Sequence, residues 1–373
     1  MPFLNEMLDQ TKHRQDQASA LAAENLAIDD PIQAHLKSRS GLESRFRFDV
    51  AAIMANIRDE ILGQEPALQV IHDMLQVIRA DITDPRRPLF VALFLGPTGV
   101  GKTEIVRALA RALHGDADAV CRVDMNTLSQ EHYAAALTGA PPGYVGAKEG
   151  KNLLDQEKLE GSIGRPGIVL FDELEKASVQ VVHALLNVFD NGLLTVASGE
   201  RTYSFRNSII FMTSNLGARE IQRYDERRNS WPWSLWKMRS GNRQTDIDRL
   251  MRKKLLSTFT PEFLNRIDSS VTFNWMDQPL VERLVTVELR RLNRRLARHQ
   301  CLLELDQPLI NSLAKSGYDR QFGARALRRS LRSRLEVPLA QFLLQHHRPL
   351  DTQREATKYL AYLKKDNVNF VEL

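Results

Sequence analysis

Cysteine is close to absent. Cys121 and Cys301 are the only two in 373 residues, too few for a disulfide framework or a cysteine zinc site, and they fit a reducing compartment. Long apolar runs are also lacking. The longest, Leu89 to Leu95 in Leu-Phe-Val-Ala-Leu-Phe-Leu, falls far short of the roughly 20 residues that a helix needs to cross a bilayer, so no membrane partner is expected. The start, Met1-Pro2-Phe3-Leu4-Asn5-Glu6, has neither the basic beginning nor the apolar stretch of a secretory signal. The expectation is a cytoplasmic protein. Nor is there a large charge of one sign: 51 Lys and Arg stand against 46 Asp and Glu, and this mild excess names no partner and leaves nucleic acid open. No repeat with a period of about 20 to 50 residues is visible, which sets solenoids aside.

What the chain does have is 43% hydrophobic and 26% charged residues, the composition of a globular protein with at least one sizeable core. Its length suggests about two or three domains. Residues 1 to 48 are polar, rich in Gln, Ala, Asp and Lys, and read as an arm or docking segment. From Ala51 onward, strand-like runs at Leu89 to Leu95, Ala119 to Met125, Ile168 to Phe171, Ser208 to Thr213 and Val271 to Phe273 alternate with helical stretches. This alternation predicts an α/β domain, a mostly parallel sheet flanked by helices, over 49 to 276. The pattern breaks between Tyr224 and Asp246, where an apparent insert carries Trp231, Trp233 and Trp236. Beyond Pro279, Val281, Val285, Leu289, Leu292 and Leu296 recur at spacings of three and four, with arginines between them. A smaller, mainly helical (α+β) lid subdomain is predicted over 277 to 373.

The strongest chemical signal is Gly96-Pro97-Thr98-Gly99-Val100-Gly101-Lys102-Thr103, set between the strand Leu89 to Leu95 and a helical Glu104-Ile105-Val106-Arg107-Ala108-Leu109. This is the P-loop spacing in its required strand-to-helix context. The glycines let backbone amides face phosphates at a helix amino end, Lys102 reaches the outer phosphates, and Thr103 offers a hydroxyl to magnesium. About 70 residues on, Ile168-Val169-Leu170-Phe171 ends in Asp172-Glu173. An acid pair at a strand end is often just a solvated turn, but the P-loop upstream favours a catalytic pair. Asp172 would then hold the magnesium shell, and Glu173 would act as general base on a water. ATP and Mg2+ are the expected ligands of an ATP hydrolase.

The next motifs in order are Phe211-Met212-Thr213-Ser214-Asn215-Leu216-Gly217, Pro261-Glu262-Phe263-Leu264-Asn265-Arg266-Ile267-Asp268 and Gly323-Ala324-Arg325. With them the chain resembles the Clp unfoldases, and within the AAA+ superfamily it resembles the second ATPase ring of ClpB-type disaggregases, from about Ile61 to Leu344. The resemblance implies that Asn215 is a first sensor, Arg325 a second sensor on the lid, and Arg266 an arginine finger acting on a neighbouring subunit. A ring, normally a hexamer, follows from it. Ile61 and Leu62, in Ile61-Leu62-Gly63-Gln64, match the family's adenine pocket.

Gly143, Tyr144, Val145 and Gly146, in Gly139-Ala140-Pro141-Pro142-Gly143-Tyr144-Val145-Gly146, resemble the family's pore loop. Tyrosines on such loops would grip an extended polypeptide, so the implied activity is ATP-dependent unfolding of proteins threaded through a central pore. The chain departs from the family in several places. It has one P-loop where ClpB-type proteins have two. It lacks the amino-terminal substrate domain and the long coiled-coil insert, and it reads Ala147-Lys148-Glu149-Gly150 where an aromatic and then an acidic residue are usual. No Ile-Gly-Phe or Ile-Gly-Leu loop follows the first sensor; the upstream Ile163-Gly164-Arg165 ends in a charge. No peptidase partner is therefore expected. The three tryptophans of the insert either anchor a partner protein or pack on their own domain. A second reading is a nucleic-acid-associated ATPase, motivated by Arg328, Arg329, Arg332 and Arg334, although such rows are usually solvated helix faces. A third, an assembly subunit that holds ATP only structurally, conflicts with the complete set of motifs.

Overall fold

The structure is a computed structural model that describes residues 43–129, 154–195, 202–229, 243–276, 278–319, 323–347, 356–365 and 367–373. Most of the expected arm, the Gly143 to Gly146 loop, and Trp231, Trp233 and Trp236 lie outside the described residues. In chain order the first strands are β1 (Phe90–Leu95), β2 (Cys121–Asp124), β3 (Gly167–Asp172), β4 (Leu193–Thr195), β5 (Thr202–Ser204), β6 (Ser208–Ser214) and β7 (Ser269–Thr272). Five of them form one sheet in the order β2-β3-β6-β1-β7, with every neighbouring pair parallel. The short β4 and β5 make a separate antiparallel pair.

This sheet is buried on both faces, which explains why its strands read as continuous apolar runs instead of alternating ones. The period of two divides them between two cores. Val91, Leu93, Leu95, Val169, Phe171, Ile210 and Met212 enter one, and Ala92, Phe94, Ile168, Leu170, Ile209 and Phe211 enter the other. Helices α1 (Val50–Glu60), α2 (Glu65–Arg79) and α3 (Lys102–His114) pack on the second face through Ile57, Leu68, Ile71, Ile105 and Leu109. Asp49 starts α1 by accepting from the N–H groups of Ala51 and Ala52, an N-cap interaction. Phe46 and Phe48 are already buried in the same core, so the chain begins to pack a few residues before α1.

The first face is covered by α4 (Gln156–Glu160), α5 (Val179–Asn191), α6 (Ala218–Asn229), α7 (Arg243–Thr258) and α8 (Pro261–Leu264), through residues such as Leu185, Phe189, Met251 and Phe263. The break in pattern expected over 224 to 246 is narrower at both ends. Helix α6 runs on to Asn229, and α7 begins at Arg243. These stretches are helical without an apolar stripe to announce them. They are joined by Tyr224, whose hydroxyl donates to Asp246 at 2.8 Å, and by Arg243, which donates to both oxygens of Asp225 at 2.9 and 2.7 Å.

The carboxy-terminal part has its own core. It contains α9 (Gln278–Leu296), β8 (Cys301–Leu305), α10 (Gln307–Gly317), α11 (Ala324–Leu331), α12 (Val337–His346), β9 (Thr357–Lys364) and β10 (Asn367–Glu372), with a π-helical turn at Arg332–Glu336 between α11 and α12. The predicted stripe of α9 faces inward: Val281, Val285, Leu292 and Leu296 are buried, and Leu289 is partly so. A three-stranded sheet, β10-β9-β8, lies beside the helices. Among the described residues no helix is long and apolar enough to cross a membrane.

Phe94 is the pivot of the second core, with ring centroids 5.3 Å from Phe211 and 5.1 Å from Phe273. Phe94→Ala should lower unfolding stability by about 3 to 5 kcal/mol, measured by urea denaturation. A loss below about 1 kcal/mol would show that this core does not hold β1 in place.

Candidate functional site

The site begins where β1 ends. After Leu95 the chain enters a loop in which Gly101 has φ +107°, and no atom stands within 4 Å of where its Cβ would be. Gly101 also heads α3, and no side chain caps that helix. A buried P-loop helix end without a cap leaves its first N–H groups for an outside anion, and the helix dipole favours a negative one. Lys102, 7% exposed, folds back over the loop. Its ammonium donates to the carbonyls of Gly96 at 2.6 Å and Pro97 at 2.7 Å, and to Asn215 Oδ1 at 3.0 Å. Burial pushes its pKa down to about 8, opposed by Glu175, Asp172 and Glu173 and assisted by the charge of Arg325.

The parallel register brings the other strand ends alongside. Leu95 stands opposite Ser214, and Phe171 stands opposite Met212. Asp172 therefore comes level with Thr213, whose hydroxyl donates to Asp172 Oδ1 and accepts from the Glu173 N–H at 3.2 Å. Glu173 turns sharply there with φ +59°, a left-handed conformation that is uncommon for a residue with a Cβ and is found at functional turns. Asp172 Oδ2 accepts from Arg122 of β2 at 2.6 Å. Asn215 is held at its backbone, where its N–H donates to Glu175 Oε1 at 3.1 Å, and its amide oxygen also accepts from the hydroxyl of Thr98 at 3.4 Å.

The lid closes the site by direct backbone contact. The Ala324 N–H at the start of α11 donates to the carbonyl of Gly99 at 2.9 Å. This approach needs Gly323: with φ +55°, its Cβ would lie 2.5 Å from the Gly99 oxygen. One residue past that contact, Arg325 lines the cleft. A ring of charges surrounds the junction. Arg291 of α9 reaches Glu104 at 2.7 Å, Glu60 at 3.0 Å and Glu288 at 3.1 Å, and Arg328 of α11 reaches Glu288 at 2.8 Å and Glu104 at 3.4 Å. Burial raises the Glu104 pKa, but Arg328 and Arg291 more than offset it and hold the carboxyl below its usual range. Beneath the junction, Gln64, 2% exposed, donates from Nε2 to the carbonyls of Val100 at 3.3 Å and Asn274 at 3.0 Å and accepts from the Asn274 N–H at 3.3 Å.

The result is a cleft of about 330 Å³. Ile61, Leu62, Thr98, Gly99, Val100, Gly101, Lys102, Thr103, Asp172, Glu173, Asn215 and Arg325 all line it. Gly96 and Pro97 sit below, where they supply carbonyls to Lys102. The residues fit a nucleoside triphosphate with its magnesium: amides at the start of α3 and a buried ammonium for phosphates, a carboxylate and a hydroxyl for the metal, and apolar Ile61 and Leu62 in the same lining. Arg266 stands apart, paired with Asp190 and Glu262. Several site residues escaped the sequence reading. Thr213 lies in the Phe211 to Gly217 motif, and its hydroxyl two residues before Asn215 is the signal the sequence offers. Arg122, Glu175 and the Glu60, Glu104, Arg291 and Arg328 cluster are joined only by the fold. Of the arginines that motivated a nucleic-acid reading, Arg328 is paired with carboxylates at this junction.

A family model described as an AAA domain of the Cdc48 subfamily matches residues 87–270, and one described as the carboxy-terminal D2-small domain of ClpB protein matches 276–354. The ATP-dependent protease ATP-binding subunit-like protein AmiB of Pseudomonas aeruginosa is 67% identical over 371 residues, 100% of each chain. An ATP-dependent protease ATP-binding subunit-like protein of Rhodococcus erythropolis is 39% identical over 95% of both chains. The ClpC ATP-binding subunit of Staphylococcus aureus is 38% identical over 77% of this chain and 34% of its own. Among solved structures, a closed-state reconstruction of Hsp104 with ATPγS and FITC casein superposes with a TM-score of 0.68 at 28% identity, over 86% of this chain and 51% of that one.

The depressed Lys102 predicts a pH dependence of ligand binding. With its pKa lowered to about 8, the ligand-free ammonium loses its proton as pH rises through that value, whereas bound phosphates favour the charged form. ATP affinity should fall between about pH 7 and about pH 9, and binding at the upper end should take up close to one proton per site. Calorimetry in two buffers of different ionisation heat measures this uptake, and Lys102→Met should abolish it. Equal uptake in the variant would assign the proton to another group.

Proposed function

The chain belongs to the Clp-type AAA+ ATPases, and from that premise we propose that it is an ATP-driven unfolding chaperone, assembled as a hexameric ring around a pore through which polypeptide is threaded. The observation that carries this reading is the division of the site. One chain supplies the P-loop, the acid pair, Asn215 and a lid docked on Gly99, while Arg266 is not among the residues lining that cleft and pairs with Asp190. A finger so placed suits a neighbour's nucleotide. The chain reads as three parts: the arm to residue 48, whose last residues Phe46 and Phe48 already pack in the second core, the large subdomain over 49 to 276, and the lid from 277.

The residues divide the work. Amides at the start of α3 and the Lys102 ammonium hold the outer phosphates. Ile61 and Leu62 receive the base. Thr103 and Asp172 would hold magnesium, which would offset the charge of the phosphates. Arg122, now on Asp172, supplies positive charge to the same carboxylate. Thr213 fixes both acids of the pair, so that Glu173 points its carboxylate into the cleft to take the proton of the attacking water. Asn215 orients that water, and Arg325 lets the lid sense the phosphate. Arg266 of the adjoining subunit neutralises charge on the transferring group, a contribution on the order of a thousandfold or more in rate.

Lid and large subdomain meet at the phosphate loop itself, so loss of the terminal phosphate changes what holds them together. That motion moves the Gly143 to Gly146 loop, and Tyr144 and Val145 grip the substrate chain. The chain spans only 34% of ClpC and 51% of the Hsp104 chain. Relatives carry the words ATP-dependent protease in their names. For this chain we infer action without a peptidase, because no Ile-Gly-Phe loop follows the first sensor, and docking of partner proteins through Trp231, Trp233 and Trp236.

Glu173→Gln should bind ATP normally and lower turnover by about a hundredfold or more. Captured from cells with its substrates, it should enrich a small set of proteins that Lys102→Ala does not. Identical sets from both variants, measured by mass spectrometry, would contradict ATP-dependent substrate holding.

A further inference from the structure

The guanidinium of Arg266 is engaged by its own chain in a way that leaves part of it open. Its Nε lies 2.7 Å from each oxygen of Asp190, Nη1 donates to the Glu262 carbonyl at 3.0 Å, and Nη2 lies 3.1 Å from Glu262 Oε1. A guanidinium carries five N–H donors, one on Nε and two on each Nη. Three are occupied here, and one on each Nη remains. The fork is thus gripped at its base and still able to meet another anion in the two-pronged manner that suits phosphate.

The backbone under this pair is fastened as well. Arg87, in the segment leading into β1, donates from Nε to the Phe189 carbonyl at 3.0 Å and from Nη2 to the Arg266 carbonyl at 3.4 Å. Its Nη2 is 3.7 Å from Asp268, whose other oxygen accepts from the Val91 N–H at 2.8 Å. Phe189 of α5 and Phe263 of α8 are fully buried with ring centroids 5.6 Å apart. The end of α5, which carries Asp190, and the turn that carries Arg266 are therefore tied both to each other and to the central strand. Exposure decides what this is for. The Arg266 side chain is 23% exposed and that of Asp190 is 42% exposed, and ion pairs in such positions add little to stability. An ion pair this well supported and this weak energetically is suited to aiming a side chain that would otherwise sample many rotamers.

We propose that Asp190 is a positioning residue that aims Arg266 from one protomer into the nucleotide cleft of the next, with Glu262 as second support and Arg87 as the fastening beneath. This rests on the reading of Arg266 as a finger acting across the subunit interface. Removing Asp190 leaves the cleft of its own subunit intact and slows the cleft next door.

Mixed rings test this in two steps. Arg266→Ala subunits keep their own cleft and serve as receivers, and Lys102→Ala subunits keep Arg266 and serve as donors without turnover of their own. Mixing the two should restore ATP hydrolysis that neither shows alone. Donors carrying both Lys102→Ala and Asp190→Ala should restore about tenfold less, within the roughly hundredfold that misplacing a catalytic group can cost, with unchanged ATP affinity of the receivers and unchanged assembly mass by sedimentation. If the double-variant donor does not assemble, Asp190→Asn, which keeps the shape and one acceptor, takes its place in the donor, and an intermediate restoration is expected. Equal restoration with and without Asp190 overturns the positioning role while the finger stands. No restoration by the Lys102→Ala donor overturns both.

Discussion

The site depends on the parallel pairing of β6 with β1 on one side and β3 on the other. Three strand ends, each bearing one part of the chemistry, are brought level by this register: Leu95 with Ser214, and Phe171 with Met212. Backbone hydrogen bonds set it, and the burial of both faces protects it, because a slip by one residue would exchange the side chains of the two cores. Phe94 and Phe211 would enter the core built for Leu93 and Met212. The hydroxyl of Thr213 then carries the register into the site, joining the Asp172 carboxylate to the Glu173 backbone.

A second constraint is the seam between the large subdomain and the lid. It includes one backbone hydrogen bond at Gly99, the charge cluster around Glu60, Glu104, Glu288, Arg291 and Arg328, and Leu62, which packs against the lid core. Charge carries most of it, and its apolar part is small. Partly exposed ion pairs are each weak and screened by salt, so such a seam can loosen and re-form without unfolding either side. Ligand binding beside it can therefore alter the lid while the two cores remain intact.

Much of this was legible in the sequence because it is local. The P-loop lies between a strand and a helix, the acid pair ends a strand, and each motif declares its backbone setting. The apolar stripe of α9 and the parallel sheet were readable for the same reason, through periodicity. What escaped depends on distance along the chain. Arg122 meets Asp172 only because β2 pairs with β3, Gln64 meets Asn274 across 210 residues, and Arg291 belongs to the site only after α9 has folded back over α1 and α3. The ends of α6 and α7 inside the expected insert were missed because residues 224–229 and 243–246 carry no clear stripe, and side-chain pairs such as Arg243 with Asp225 hold them, whereas Ile247, Met251 and Leu255 anchor the rest of α7 in the core.

The same contrast separates what one subunit does from what a ring does. A single chain assembles the phosphate loop, the acid pair, Asn215 and the lid around one cleft, whereas Arg266 is not among the residues lining it; in the ring we propose, the complete catalytic set requires a second copy. The most direct measurement is ATP turnover per subunit as a function of protein concentration, with molecular mass followed in parallel by light scattering. If the site is shared between subunits, turnover and mass rise together, with little hydrolysis from the monomer. Full turnover at concentrations where the protein is monomeric would contradict a shared site.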